Sequence, residues 1–180
     1  MTGRLFAIVG PSGAGKDTLI AAARAARADL AVVRRAITRP GDAGGEDFEG
    51  VTGAEFDRRL AAGDFALHWQ AHGLRYGIPA RDLAPLARGH DVIFNGSRAA
   101  LAAAATAFPG LTVILVTAPP AVLAARLTTR GREAPADIEA RVARATLDIP
   151  PGLRVVQVIN DGTPEEGTAR FLAALQPVSA

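Results

Sequence analysis

The feature that most constrains this chain is a junction near its start. An apolar run from Arg4 to Val9 passes into Gly10-Pro-Ser-Gly-Ala-Gly-Lys-Asp17, and an alanine-rich stretch with helical spacing follows from Thr18 to Ala28. Strand, loop and helix in that order, with glycines at 10 and 15 and a lysine at 16, make a cradle for an anion. Successive backbone N–H groups curl around it, and the helix points its positive end inward. Lys16 is the only lysine among 20 cationic side chains, the other 19 being arginine. A tight turn carrying a solvated lysine would show the same letters, but the strand before it and the helix after it favour the phosphate loop.

The rest of the chain repeats this alternation. Strands are expected at Ala31 to Arg34, Asp91 to Phe94, Thr112 to Val116 and Arg154 to Ile159. Helices are expected at Ser97 to Ala107, Ala121 to Thr129, Ala136 to Asp148 and Thr163 to Leu175. Such alternation predicts an α/β fold with a doubly wound, five-stranded parallel sheet. Thr163, Pro164 and Glu166 mark the last helix start as N-cap, first-turn proline and capping-box acid. Residues 35–90 break the pattern with a glycine-rich stretch from Gly41 to Gly50, a capped helix from Thr52 to Ala62 and an apolar strand from Phe65 to Gln70, so they read as an insertion. Residues 130–136 read as a cationic lid between two helices. The core is then 1–34, 91–129 and 137–180 of a single domain.

Composition narrows the chemistry. With 180 residues, no cysteine and three histidines, the chain offers no disulfide framework, thiolate metal site or cysteine nucleophile. A pI near 9.9 invites a nucleic-acid partner, yet the formal net charge is only +2. No apolar run reaches membrane-spanning length and no signal peptide precedes the loop. The expectation is a soluble, cytoplasmic protein with no nucleic-acid or membrane partner; a homodimer stays open.

Asp17 departs from the usual phosphate loop, where Ser or Thr follows the lysine and its hydroxyl ligates Mg²⁺. Two readings stay open. The carboxylate contacts Mg²⁺ itself, or it simply suits the first turn of a helix whose dipole favours anions. Thr18 lies ~100° further round the helix and does not inherit the role. No aspartate closes an apolar strand, which argues against a motor or switch ATPase.

If the loop holds a phosphoryl donor, the acceptor's chemistry should show in the side chains around it. A sugar alcohol would want a carboxylate base, whereas a phosphate is already an oxyanion and mainly needs cations. Arg34, Arg35 and Arg39 follow the second strand at its carboxyl end, where ligands of wound sheets bind. Arg98 sits in the first turn of a helix, where a cation opposes the dipole and an anionic ligand would rationalise it. The competing reading pairs these arginines with Asp42, Glu46 and Asp47 in solvated ion pairs. Around the lid, Arg126, Arg130, Arg132, Arg141 and Arg144 are available to close over a γ-phosphate. Arg130 and Arg141 are the catalytic candidates, and Arg144 is assigned to the surface.

Along nearly its whole length the chain resembles the guanylate-kinase superfamily, through Gly10 to Lys16, Ile37-Thr-Arg-Pro40, Glu55-Phe56, Gly73-x-x-Tyr-Gly77, Arg130-Gly131 and Asn160-Asp161. The resemblance implies a P-loop NTPase fold of nucleoside-monophosphate-kinase type, with acceptor-binding insertion and lid. It also implies ATP contacts from Gly10, Pro11, Ser12, Gly13, Ala14, Gly15, Lys16, Asp17 and Thr18, with Arg126 and Asn160. Yet the positions that hold guanine in that family carry Arg35, His68 and Ser97 here, and Phe48 stands at a phosphate-binding tyrosine. These departures resemble instead the ribose 1,5-bisphosphate phosphokinases, through Gly15-Lys-Asp17, Leu67-His-Trp-Gln-Ala-His-Gly-Leu74, Asn95-Gly-Ser-Arg98 and Arg130-Gly-Arg-Glu133. The resemblance implies phosphorylation of ribose 1,5-bisphosphate by MgATP to 5-phospho-α-D-ribose 1-diphosphate, with Arg35, Arg39, His68, Tyr76, Asn95, Ser97 and Arg98 around the acceptor. Trp69 is assigned mostly to the core, and His72 and His90 receive no role.

Overall fold

The computed structural model describes residues 3–41, 46–130 and 149–176, without the side chain of Arg130. Asp42, most of the lid and the helix expected from Ala136 to Asp148 lie outside the described residues.

Five strands form one parallel sheet: β1 (Leu5–Val9), β2 (Ala31–Val32), β7 (Val92–Asn95), β8 (Thr112–Thr117) and β9 (Arg154–Ile159), in the order β2-β7-β1-β8-β9. β1 is central and buried at every position, as a strand covered on both faces must be. Its side chains divide by the two-residue period. Leu5, Ala7 and Val9 join Val92, Phe94 and Val113 under α3 (Arg98–Ala107). Phe6 and Ile8 face the other way, with Ile93, Ile114 and Val116, toward α1 (Lys16–Ala26), α4 (Pro120–Arg130) and α5 (Pro164–Ala174). Two apolar clusters on opposite faces are what double winding means physically. The capping box at α5 is present: Glu166 N donates to Thr163 Oγ1 at 3.3 Å and Thr163 N to Glu166 Oε2 at 3.0 Å.

The stretch between β2 and β7 builds a second sheet that single-segment periodicity did not reveal. β3 (Ala36–Ile37), β4 (Glu49–Gly50), β5 (Phe65–Ala71) and β6 (Leu74–Pro79) run in the order β4-β3-β6-β5. β3 and β4 have two residues each, too short for any alternation to show. β5 and β6 form a hairpin whose two turn residues, His72 and Gly73, have φ of 53° and 73°, the positive pair that matches strand twist. α2 (Gly53–Ala61) is capped by Thr52, and its Arg59 reaches back to Glu49 on β4 at 2.5 Å. α3, the helix that follows β7, packs against β5 and so links the parallel sheet to the second one.

Candidate active site

The phosphate loop leaves β1 at the point where the sheet order reverses, since β7 and β8 flank β1 on opposite sides. Gly15 caps α1 with φ of 90°, a left-handed conformation that costs glycine nothing. A Cβ there would also sit 2.6 Å from Asn160 Nδ2. This cap starts α1 at Lys16, two residues earlier than periodicity predicted, and so aims the first-turn N–H groups into the loop. Lys16 Nζ folds over the loop, donating to Gly10 O at 2.9 Å and Pro11 O at 3.2 Å. Those carbonyls hold the ammonium at the place where a bound polyphosphate would compete for it.

A pocket of about 630 Å³ opens from the loop. Its lining joins Gly10, Gly13, Lys16 and Asp17 of the loop and first turn to Arg35, Tyr76, Asn95, Ser97 and Arg98. Asn95, at the end of β7, donates its side-chain amide to Asp17 Oδ1 at 2.9 Å and more distantly to Glu46 Oε2 at 3.4 Å. Arg35, immediately before β3, is almost fully buried and forms a bidentate pair with Glu46. Its guanidinium also lies 5.1 Å over the Tyr76 ring and 5.7 Å over Trp69. Tyr76 and Trp69 are opposite each other across the hairpin and stack at 5.2 Å with 6° between planes. The guanidinium is therefore fixed by a carboxylate at its edge and aromatic faces beneath.

The structure sorts the sequence expectations. Pro11, Ser12 and Gly15 also line the pocket. Ala14 is buried under the loop and Thr18 is exposed, so neither side chain reaches the pocket. Asn160, expected at ATP, lies behind the loop: it is buried, donates to Ala14 O at 2.8 Å and packs against Gly167. It supports the loop and does not line the pocket. Arg126 approaches Gly13 O at 3.5 Å. Arg39 lies with its guanidinium 4.2 Å over the Phe48 ring, to one side of the pocket lining. Strand alternation turns His68 outward, exposed and off the pocket lining, while its neighbour Trp69 is buried and lines the pocket. Arg141 and the side chain of Arg130 lie outside the described residues.

Glu46 was read only as a solvated ion-pair partner; the pairing is present, but it lies at the pocket wall, with Arg35 buried and Glu46 half-buried. Its signal was its place between two arginine-rich segments, which does not distinguish a surface bridge from a wall. Arg34 does form the exposed kind of bridge, with Asp47 at 2.9 Å. Among the described residues no group of three or more His, Asp or Glu is gathered to hold a metal. Asp17 beside the loop, with one oxygen occupied by Asn95, nonetheless fits Mg²⁺, which takes one or two carboxylates and leaves the rest of its shell to phosphates and water. No helix among the described residues is long and apolar enough to cross a membrane.

The fold and site define the class: this is a P-loop kinase. The guanylate kinase of Anaplasma phagocytophilum superposes over 97% of this chain and 85% of its own with a TM-score of 0.67 at 17% identity, which establishes the fold. Among curated proteins, the ribose 1,5-bisphosphate phosphokinase PhnN of Ruegeria sp. is 49% identical over 97% of this chain and 92% of its own length. The PhnN of Thiobacillus denitrificans is 46% identical over 99% and 95%. The chain belongs to the ribose 1,5-bisphosphate phosphokinase family. A bifunctional ribose 1,5-bisphosphokinase-thymidine phosphorylase of Cupriavidus necator is 51% identical over 97% of this chain, which spans only 29% of that longer protein. No protein-family model matches the chain.

Proposed function

We propose that the protein transfers the γ-phosphoryl group of ATP to the 1-phosphate of ribose 1,5-bisphosphate, giving 5-phospho-α-D-ribose 1-diphosphate and ADP. One observation carries the reading: the phosphate loop and a buried arginine-aromatic wall open into a single pocket, so donor and acceptor meet without an intervening barrier. The family's named activity supports the acceptor.

In this reading Lys16 leaves the Gly10 and Pro11 carbonyls for the ATP phosphates, and the loop N–H groups hold the β-phosphate. An oxygen of the 1-phosphate attacks Pγ in line; a new P–O bond forms as the bond from Pγ to the β-bridging oxygen breaks, and ADP leaves with that electron pair. The acceptor oxygen is already anionic, so no general base is required. Mg²⁺, when bound with ATP, supplies positive charge at the phosphates, and Asp17 is the side chain that would hold it. Arg35 and Arg98 offset repulsion between the two phosphorylated ligands. Arg130 and Arg141, with residues 130–136 as a lid, would close over the transferring group. Residues 35–90 would serve as the acceptor-binding insertion, and a cytoplasmic location suits a substrate made and used with ATP.

Glu46 supports one rival, a nucleoside-monophosphate kinase, because a pocket carboxylate can accept from a purine N–H. Its engagement by Arg35 weighs against that. Coupled ADP-release assays with ribose 1,5-bisphosphate and GMP side by side decide; preferential GMP turnover rejects the proposed acceptor.

A further inference from the structure

Two residues of the pocket wall carry buried polar atoms with no hydrogen-bond partner: Trp69, at Nε1, and Ser97, at Oγ. Each is unusual for its position. Trp69 is only 5% exposed, and its stacking on Tyr76 could be supplied by phenylalanine without burying a donor. An indole N–H can only donate, and leaving it buried and unmet is destabilising. Ser97 occupies the N-cap of α3, where a serine hydroxyl normally accepts from the helix's first N–H groups. Thr52 and Thr163 do this for α2 and α5, but Ser97 makes no side-chain cap bond. Its hydroxyl is withheld from the helix it begins. α3 packs against β5, and both residues line the pocket that opens from the phosphate loop.

We infer that Trp69 Nε1–H and Ser97 Oγ–H are neutral donors for oxygen atoms of the acceptor sugar phosphate, and that Trp69 is an acceptor-binding residue. The inference rests on the proposed acceptor and deepens it. Arg35, Arg98 and Lys16 supply charge, and two uncharged donors on a rigid aromatic wall and a helix start add further directional contacts. An exposed histidine one position earlier, His68, makes no such wall, which is why strand parity matters here.

Trp69 is the only tryptophan in the chain, so its emission reports on this wall directly. In wild-type protein without ATP, ribose 1,5-bisphosphate should shift the emission saturably. Inorganic phosphate is the companion probe: a shift with phosphate alone assigns a phosphoryl oxygen, and a shift only with the bisphosphate assigns an oxygen of the furanose. Trp69→Phe keeps the ring and removes the donor; the acceptor KM should rise about tenfold, ~1.4 kcal/mol, while kcat and the ATP KM move less than threefold. Ser97→Ala should raise the acceptor KM similarly, and serves in place of Trp69→Phe if that variant misfolds. Unmoved emission, or unchanged acceptor KM in the folded variants while the wild type turns over ribose 1,5-bisphosphate, overturns the donor role and leaves the proposed reaction standing. A wild type that neither binds nor phosphorylates ribose 1,5-bisphosphate overturns both.

Discussion

Asn95, at the end of the strand paired with β1, holds Asp17 through its side-chain amide, 2.9 Å from Oδ1. A carboxylate at the first turn of α1 is thereby oriented rather than left to rotate, as a metal-contacting group must be. Asp17→Ala should raise the Mg²⁺ concentration needed for half-maximal activity at least tenfold, and Asp17→Ser, which puts a hydroxyl there, should restore part of it. Mg²⁺ titrations at fixed ATP measure this. Coincident titration curves for wild type and Asp17→Ala would assign Asp17 to the helix dipole instead.

Lys16 donates to two carbonyls of its own loop, and removing it leaves those acceptors at the pocket surface, where solvent reaches them. Lys16→Ala should therefore fold normally by circular dichroism while kcat falls roughly 10³-fold or more, as expected when about 4 kcal/mol of charge stabilisation is lost. Activity within tenfold of wild type would contradict the transfer geometry.

Arg98 begins α3, where its charge opposes the helix dipole, and it lines the pocket. Arg98→Ala should weaken ribose 1,5-bisphosphate binding about tenfold or more by calorimetry, with ATP affinity little changed. Equal loss for both ligands would place its action on the shared phosphates.

The parallel sheet was legible because β1 is an apolar run of five residues, β8 is one of six closed by threonines, and the starts of α2 and α5 carry threonine caps. The second sheet was not, because β3 and β4 are two residues long and exist only through pairing with partners far along the chain. The same limit governs the site. The phosphate loop is contiguous, so its spacing is its signature. The proposed acceptor wall is assembled from Arg35, Glu46, Trp69 and Ser97, and which of His68 and Trp69 faces inward depends on hairpin register, which composition does not encode. Asn160 illustrates the converse: the guanylate-kinase resemblance implied an ATP contact there, yet its amide is spent on Ala14 O.

That amide bond carries a stability prediction. Asn160 is 6% exposed, and Asn160→Ala leaves the buried Ala14 carbonyl without its donor. Unfolding free energy should fall by about 1–3 kcal/mol, and the ATP KM should rise because the loop loses its rear support. Chemical denaturation and steady-state kinetics on the same preparation test both; an unchanged ATP KM with lowered stability would separate the loop's shape from Asn160.

The opposite end of β7 sets the acid limit of the fold. Burial pushes the Asp91 carboxyl up, but hydrogen bonds from Arg4, at 2.5 Å, and Arg27, at 3.2 Å, outweigh it and hold the group below its usual value. A carboxylate depressed in the folded state contributes stability that is complete above its unfolded pKa, about 4, and is lost as pH falls through the folded value. Asp91→Asn should therefore lower stability by about 2 kcal/mol at pH 7, discounted for the partly exposed Arg4. It should cost progressively less below pH 4, where the wild type loses the same interaction. Denaturant midpoints from pH 7 down to pH 3 would converge for the two proteins, and parallel curves across that range would remove Asp91 from the account of acid unfolding.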